Sequence, residues 1–223
     1  MSADASQAVF EPAGARPSPP RALPGFEGVS RYWDPVHRMF AAKLLPGEYY
    51  VTREDETVVT VLGSCVSACV RDSLMGIGGM NHFMLPENQS DPTSGKWGGD
   101  LDASTRYGSF AMEKLINDIL KHGGTRKNLE VKLFGGGKIL AQMTDIGKRN
   151  IDFVRHFLFV EGFRVVSEDM GDVYPRKVYY FPITGKARVM KLRSLHNNTI
   201  VERESAYRQE IERKPVAGDV DLF

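Results

Sequence analysis

The sequence contains little cysteine and no long hydrophobic run. Only two of its 223 residues are cysteine, Cys65 and Cys69, which excludes a disulfide-stabilised scaffold and favours the reducing cytoplasm. No stretch approaches the roughly 18–20 uninterrupted apolar residues of a membrane-spanning helix. The first 30 residues lack the basic start and apolar core of a secretory signal. We therefore expect a cytoplasmic protein without membrane insertion.

The chain also lacks an excess of charge of either sign. It carries 29 Lys and Arg residues against 28 Asp and Glu residues, a formal net charge of +1. Such a balance gives no bulk electrostatic reason to bind nucleic acid or an anionic membrane surface. Hydrophobic residues make up 42% and charged residues 26% of the chain, which is ordinary for a globular protein. The length suits one sizeable domain.

Both ends of the chain differ in composition from its middle. Five of the twelve prolines lie within residues 1–30, and such a segment buries too little apolar surface to offset its ordering entropy. We predict a flexible tail there. Residues 203–214 carry seven charges, which favours a solvated helix, within a charged C-terminal tail over 203–223. The folded domain is predicted over 40–195.

Hydrophobic patterns inside this domain alternate between short strands and amphipathic helices. One helix is predicted from a cap at Ser104 or Thr105 to Lys121, and a second over Gly147–Glu161. These patterns predict a single-domain, mixed α/β fold, with a largely antiparallel β sandwich or sheet core flanked by two main helices. The predicted strands are Thr57–Leu62, Cys65–Arg71, Ile77–Leu85, Leu129–Phe134, Phe163–Ser167, Lys177–Pro182 and Ala187–Leu192.

The most informative pair is Cys65 and His82, which lie in consecutive predicted strands. If the connecting loop is centred on Ser73 and Leu74, the two residues are directly opposite each other, with Cβ atoms about 4.5–5.5 Å apart. A one-residue slip would place them on opposite faces of the sheet. The expected contact between sulfur and imidazole therefore depends on the length of this loop.

This pair has the chemistry of a nucleophile and its base. A free thiol has a pKa of about 8.5, so little of it is thiolate near neutral pH. A neighbouring imidazole accepts the proton and later returns it to a leaving amine. Thr60 and Asn81 are candidates for the group that orients the imidazole. A turn at Gly63 and Ser64 would aim backbone N–H groups at a developing oxyanion.

Cys65, Cys69, His82 and the glycine run at 135–138 also allow other interpretations. Most intracellular cysteines are small buried hydrophobic residues, and Cys69 is expected to be one. Cys65, Cys69 and His82 have no evident fourth zinc ligand and no common zinc spacing, so no metal is predicted. The run Gly135–Lys138 fails the phosphate-loop pattern and is expected to form a tight strand-to-helix connection.

Two longer motifs carry a family resemblance. LGSCVSACVRD at 62–72 and GIGGMNHFMLP at 76–86 resemble the chemoreceptor glutamine deamidase family, CheD. The resemblance extends over about residues 45–192, through Leu45-Pro-Gly-Glu-Tyr-Tyr50, Arg106-Tyr-Gly, Lys132-Leu-Phe-Gly-Gly136, Ile146-Gly-Lys-Arg-Asn150 and Gly185-Lys186.

The resemblance implies an activity and a set of residues. Members hydrolyse glutamine side-chain amides of methyl-accepting chemotaxis receptors to glutamate, and also act on methyl esters of those glutamates. It implies Cys65 as nucleophile, His82 as acid and base, and Thr60 as the residue that orients His82, with no cofactor. It also implies a mixed α/β sandwich fold, and a chemotaxis phosphatase is a further partner that it suggests.

Two alternatives to a deamidase remain at this point. One is another Cys–His acyl-transfer enzyme, such as a transglutaminase or a peptidase. The other is a non-catalytic adaptor that keeps the fold and binds receptors. The acceptor of the acyl group separates the first from a deamidase, and the effect of removing the Cys65 thiol separates the second.

Overall fold

The computed structural model describes residues 17–86, 103–139, 146–193 and 198–213. Within these ranges the chain forms ten β-strands and three α-helices, together with one short 3-10 helix at Arg126–Asn128. The elements are, in chain order, β1 (Arg31–Asp34), β2 (Met39–Lys43), β3 (Tyr49–Thr52), β4 (Thr57–Leu62), β5 (Val66–Asp72), β6 (Gly78–Asn81), α1 (Ala103–Lys121), β7 (Leu129–Gly135), α2 (Ile146–Val160), β8 (Arg164–Met170), β9 (Arg176–Phe181), β10 (Lys186–Lys191) and α3 (Asn198–Arg213).

The strands form two five-stranded sheets. Their orders are β1-β2-β4-β9-β10 and β3-β6-β5-β7-β8. The β2–β4 and β7–β8 pairs are parallel, and the other six pairs are antiparallel. The predicted fold class, mixed and largely antiparallel, is therefore confirmed.

The middle strands of the second sheet lie in the hydrophobic core. Six of the seven residues of β5 are buried, so this strand is covered on both faces and shows no alternation of polar and apolar residues. Helices α1 and α2 both contact β5. Helix α1 presents Met112, Leu115, Ile116 and Ile119 to the core, which is the spacing of one helical face.

Three short strands, and the residues with which the folded part begins, were not predicted from the sequence. Strands β1, β2 and β3 have only four or five residues each, too few for a clear period. Phe26, inside the segment predicted to be a flexible tail, is buried and packs edge-to-face against Tyr49 and Tyr50. The packed structure therefore begins before residue 40.

The register of β5 against β6 differs from the predicted one. Cys69 pairs with Met80 and Val70 with Gly79, and the Asp72 N–H donates to the Ile77 carbonyl (2.8 Å). Four residues, 73–76, therefore form the turn between the paired positions 72 and 77. Continuing this register sets His82 opposite Ser67, two residues from Cys65. The predicted direct opposition of Cys65 and His82 is wrong. The two side chains still share a face, because side chains in a strand alternate with a period of two.

Asp72 sets the length of this connecting turn. Its Oδ1 accepts the N–H groups of Leu74 (2.8 Å) and Met75 (2.9 Å), and its Oδ2 accepts the N–H of Thr125 (2.8 Å). An aspartate that binds the backbone two and three residues ahead stabilises a turn at that point. The turn fixes the register that brings the segment containing His82 back toward Cys65.

Helix α3 covers part of the predicted C-terminal tail. Its Glu204 is 4% exposed and Ile211 is 7% exposed, so the prediction of a solvated helix is wrong for the face that carries them. No helix in the described ranges combines the length and apolar character that crossing a bilayer requires.

Replacement of Asp72 by alanine tests the role of the turn. Asp72→Ala leaves backbone N–H groups without their acceptor, and we expect the free energy of unfolding to fall by about 2–3 kcal/mol. Asp55→Ala, at an exposed position of the β3–β4 turn, is expected to stay within about 0.5 kcal/mol of the parent. Urea unfolding measures both, and equal values for the two variants would contradict this role.

Candidate active site

The loop at residues 63–65 joins β4 to β5 and carries the candidate nucleophile. Its three carbonyl groups accept, in order, hydrogen bonds from Gly137 N–H (2.7 Å), Asn150 Nδ2 (2.9 Å) and Gly136 N–H (2.8 Å). These three donors satisfy the carbonyl oxygens of the loop. The backbone N–H groups of the same three residues have a different partner. All three donate to the carboxylate of Glu204, which lies within 4.8 Å of the Cys65 sulfur and a His82 ring nitrogen.

The glycine run after β7 makes this arrangement possible. Gly135 and Gly136 have φ angles of 111° and 67°, a region that favours glycine. A Cβ on Gly135 would overlap the Cys65 carbonyl oxygen. The run thus holds the backbone of the Cys65 loop. It supports the expected tight connection as far as residue 139, beyond which residues 140–145 lie outside the described ranges.

Asn150 of α2 ties the two halves of the site together. Its Oδ1 accepts the Leu85 N–H (2.9 Å), just after His82, while its Nδ2 donates to the Ser64 carbonyl. Asn150 is fully buried. Sequence analysis gave it no role of its own. The available signal was a polar residue placed beside Ile151 on the apolar face of a predicted helix.

His82 is held through its backbone and its ring. Its carbonyl accepts the Gly47 N–H (2.7 Å), and its own N–H donates to the Glu48 carbonyl (2.9 Å). Its Nδ1 lies 2.7 Å from Thr60 Oγ1, and that hydroxyl donates to the Leu44 carbonyl (2.9 Å). Since the Thr60 hydroxyl proton is donated to Leu44, Thr60 Oγ1 accepts a hydrogen bond from the Nδ1–H of His82.

This contact determines the tautomer of His82. With the proton on Nδ1, Nε2 keeps its lone pair and is able to act as a base. Nε2 is buried and has no hydrogen-bond partner among the described residues. Asn81, the other candidate for orienting the ring, instead accepts from Ala68 N–H (2.8 Å) and donates to the Ala111 carbonyl (3.1 Å).

The predicted residues Cys65, His82 and Thr60 therefore lie together. The Cys65 Sγ, a ring nitrogen of His82 and a carboxylate oxygen of Glu204 are all within 4.8 Å of one another. Cys65 is 0% and His82 1% exposed. Cys69 is also buried, in the core, as expected.

Burial keeps both reactive groups neutral in this conformation. Desolvation lowers the pKa of His82 to about 3, and the positive charge of Arg203 acts in the same direction. Desolvation raises the pKa of the Cys65 thiol well above its usual value, with further increases from the charge of Glu204 and a hydrogen bond to it. A carboxylate beside a thiol disfavours the thiolate.

Glu204 of α3 is the residue of the site that sequence analysis missed. Its carboxylate accepts hydrogen bonds from Gly63 N–H (2.8 Å), Ser64 N–H (2.9 Å), Ser64 Oγ (2.6 Å) and Cys65 N–H (3.3 Å). With Cys65 and His82 it forms a group of three side chains close enough to ligate one metal ion. Both carboxylate oxygens, however, already serve as acceptors for the loop.

A cavity of about 150 Å³ adjoins His82. Its walls include Gly47, Tyr107, Phe110 and Lys114. The polar, Gly-rich composition of residues 87–103 leads us to expect that they rim a substrate groove beside Cys65. Of these residues only Ala103 lies within the described ranges. Within the described part, the thiol has no exposed surface.

Comparison with known proteins identifies the family. The family model described as CheD chemotactic sensory transduction matches residues 84–191. A probable chemoreceptor glutamine deamidase CheD from Halorhodospira halophila is 58% identical over 92% of this chain and 94% of its own. The chain belongs to the CheD family. Proteins of the same name from Hahella chejuensis (51% identical; 92% and 95% covered) and Herminiimonas arsenicoxydans (54%; 86% and 93%) are also similar.

The tautomer of His82 in this CheD chain is open to direct measurement. Thr60→Val removes the acceptor for Nδ1–H while keeping the side-chain shape, so the Nδ1–H form should lose its preference. Nitrogen NMR of the histidine ring measures this change, and Thr60→Ser, which keeps a hydroxyl, should resemble the parent. An unchanged ring spectrum in Thr60→Val would contradict the assigned contact.

The lowered pKa of His82 predicts a loss of stability in acid. The pKa of His82 is about 6.5 in the unfolded chain and about 3 in the folded chain, so the unfolded chain takes up its proton first as pH falls. The stability that neutral His82 supplies is therefore complete above about pH 6.5 and is lost as pH falls toward 3. Between pH 7 and 5 the parent should lose about 2 kcal/mol more than His82→Gln in urea unfolding. Parallel losses would refute the assignment.

Proposed function

We propose that this chain hydrolyses the side-chain amides of specific glutamines in methyl-accepting chemotaxis receptors, giving glutamate and ammonia. The observation that carries the proposal is the constellation of Cys65, His82 and Thr60, with the thiol and a ring nitrogen within 4.8 Å and the ring held by a threonine hydroxyl. The names of relatives up to 58% identical support the same reaction and substrate.

The reaction begins with proton transfer from the Cys65 thiol to His82. The thiolate attacks the carboxamide carbon, and a carbon–sulfur bond forms. As the carbon–nitrogen bond breaks, His82 gives its proton to the departing nitrogen, which leaves as ammonia. The product of this half-reaction is a thioester between Cys65 and the glutamyl side chain.

Water completes the reaction with the same base. His82 removes a proton from a water molecule, which attacks the thioester carbon, and the carbon–sulfur bond breaks to release glutamate and restore the thiol. Thr60 accepts Nδ1–H throughout and keeps the ring in the tautomer that these transfers need. A methyl ester of the same side chain fits this scheme, with methanol as the leaving group.

In this proposal the protein acts on the cytoplasmic part of the receptors. A glutamine there is presented on the surface of a helical coiled coil, so the segment that enters the site is a helix. The near-neutral charge of the chain fits recognition by shape and local polar contacts rather than by bulk attraction. A chemotaxis phosphatase is a second partner of this proposal.

Substitution of the three residues tests the assignment with purified receptor cytoplasmic fragments. Cys65→Ala should abolish ammonia release, and His82→Ala should lower the rate by about 10²–10⁴. Thr60→Ala should have a milder effect, because it loses orientation but not proton transfer. Peptide mass spectrometry should show a gain of about 1 Da per converted glutamine, the replacement of an amide by an acid.

Cys69→Ala is the matched control, since Cys69 is as buried as Cys65 but does not belong to the group that Cys65 forms with His82 and Glu204. Its turnover should be near that of the parent. Activity that survives Cys65→Ala would refute the nucleophile. Receptor binding without ammonia release in the parent would indicate an adaptor, and transfer to an added amine in place of water would indicate another acyl-transfer enzyme.

A further inference from the structure

The backbone of loop 63–65 forms a binding site whose occupant is part of the same chain. Three consecutive N–H groups and the Ser64 hydroxyl converge on one carboxylate, that of Glu204, at 2.6–3.3 Å. Glu204 is only 4% exposed. Several converging N–H donors make a strong site for a carboxylate or a developing oxyanion.

The Glu204 carboxylate lies beside the two residues that carry out the proposed reaction. One of its oxygens lies within 4.8 Å of both the Cys65 sulfur and a His82 ring nitrogen. The glutamate side chain is the product of glutamine deamidation, with the same chain length and one oxygen in place of the amide nitrogen. Glu204 also stands on a helix, α3, as the substrate glutamine does in the proposed function.

The contacts of α3 around Glu204 resemble those of a docked segment. Tyr207, one turn further along, lies over Gly47, where a Cβ would come within 2.8 Å of its ring. The Tyr207 hydroxyl also bonds that of Tyr107 on α1. Ile211 is buried on the same face. Glu204, Tyr207 and Ile211 follow the spacing of one helical face.

Gly63 permits this close approach. A Cβ at Gly63 would lie 2.9 Å from both carboxylate oxygens of Glu204. The absence of a side chain there leaves room for a carboxylate or a carboxamide directly above the loop. The shape of the loop, as well as the position of the helix, therefore allows a carboxylate to bind there.

The Cys65 thiol is unavailable while Glu204 is in place. The thiol has no exposed surface, and the negative charge of Glu204 raises its pKa further above the usual value. A substrate side chain reaches the sulfur only after the groups that enclose it have moved, and the Glu204 carboxylate is one of its neighbours.

We propose that loop 63–65 forms the subsite for the substrate carboxamide, in which the N–H groups of Gly63 and Cys65, which share one oxygen of Glu204, bind the carbonyl oxygen, and Ser64 Oγ accepts from the amide nitrogen. Glu204 of α3 occupies this subsite as an internal product mimic that competes with the receptor helix. This inference rests on the proposed function. It assigns Ser64 as a substrate-binding residue and α3 as a segment that the receptor displaces.

The first test follows access to Cys65 by alkylation with iodoacetamide. Glu204→Ala should raise the alkylation rate at least about tenfold, because the thiol gains access and loses a neighbouring anion. Glu202→Ala, exposed on the same helix, should alkylate like the parent. Mass spectrometry identifies the modified cysteine. Equal rates in Glu204→Ala and Glu202→Ala would overturn the proposal.

The second test follows competition with the receptor fragment. If α3 and the substrate exclude each other, only molecules with an open subsite bind the fragment. The apparent affinity then falls in proportion to the fraction of molecules that are open. Glu204→Ala should therefore lower KM for the fragment about threefold or more, whereas Glu202→Ala should not. Faster alkylation with an unchanged KM would overturn the product-mimic role and leave the proposed function intact. Absence of deamidation in every variant and in the parent would instead refute the proposed function.

The third test makes the internal segment a substrate. In Glu204→Gln the side chain carries a carboxamide where the product carboxylate lies. The purified protein should gain about 1 Da at position 204 over time, as the amide becomes an acid. Adding Cys65→Ala should block the change. A stable amide in the folded Glu204→Gln protein would overturn the fit of a carboxamide to this subsite, without involving a receptor.

Discussion

The site depends on the direction in which loop 63–65 turns its peptide groups. Two glycine N–H groups and the Asn150 side chain bind its three carbonyl oxygens. Its three N–H groups all donate to one carboxylate, that of Glu204. A short loop has few conformations that satisfy all of its backbone groups. The glycine run after β7 and the buried asparagine of α2 together select this one.

The same arrangement explains why remote elements matter to the site. Asp72 stabilises the turn that fixes the register of β5 and β6, and the loop at Gly47 and Glu48 binds the backbone of His82 on both sides. Thr60 reaches the imidazole from β4, in the other sheet. Nucleophile, base and orienting hydroxyl thus come from two sheets, and their relative positions depend on the core between them.

Much of the fold and the central pair were predictable from sequence. Strand β4 was predicted with its observed bounds, since six consecutive residues rich in β-branched side chains leave little ambiguity. The pairing of Cys65 with His82 followed from two neighbouring strands, although the predicted register was two residues off. Turn length depends on how Asp72 binds the backbone, including the distant Thr125, and local sequence does not contain that contact.

Glu204 could not be predicted as a site residue, for a different reason. Within its own segment it is one of many charged residues, and charge density favours a solvated helix. Its burial arises from donors supplied about 140 positions earlier in the chain. Asn150 is an intermediate case, because a polar residue on an apolar helical face signals a buried hydrogen bond without naming its partner.

The state of the Cys65 thiol has a consequence for the lifetime of the protein. Peroxide and other oxidants react with the exposed thiolate, whereas a protonated and shielded thiol reacts slowly. Cys65 is fully enclosed and its pKa is raised. In the conformation described here the sulfur is therefore kept in a form that resists conversion to sulfenic and sulfinic acids.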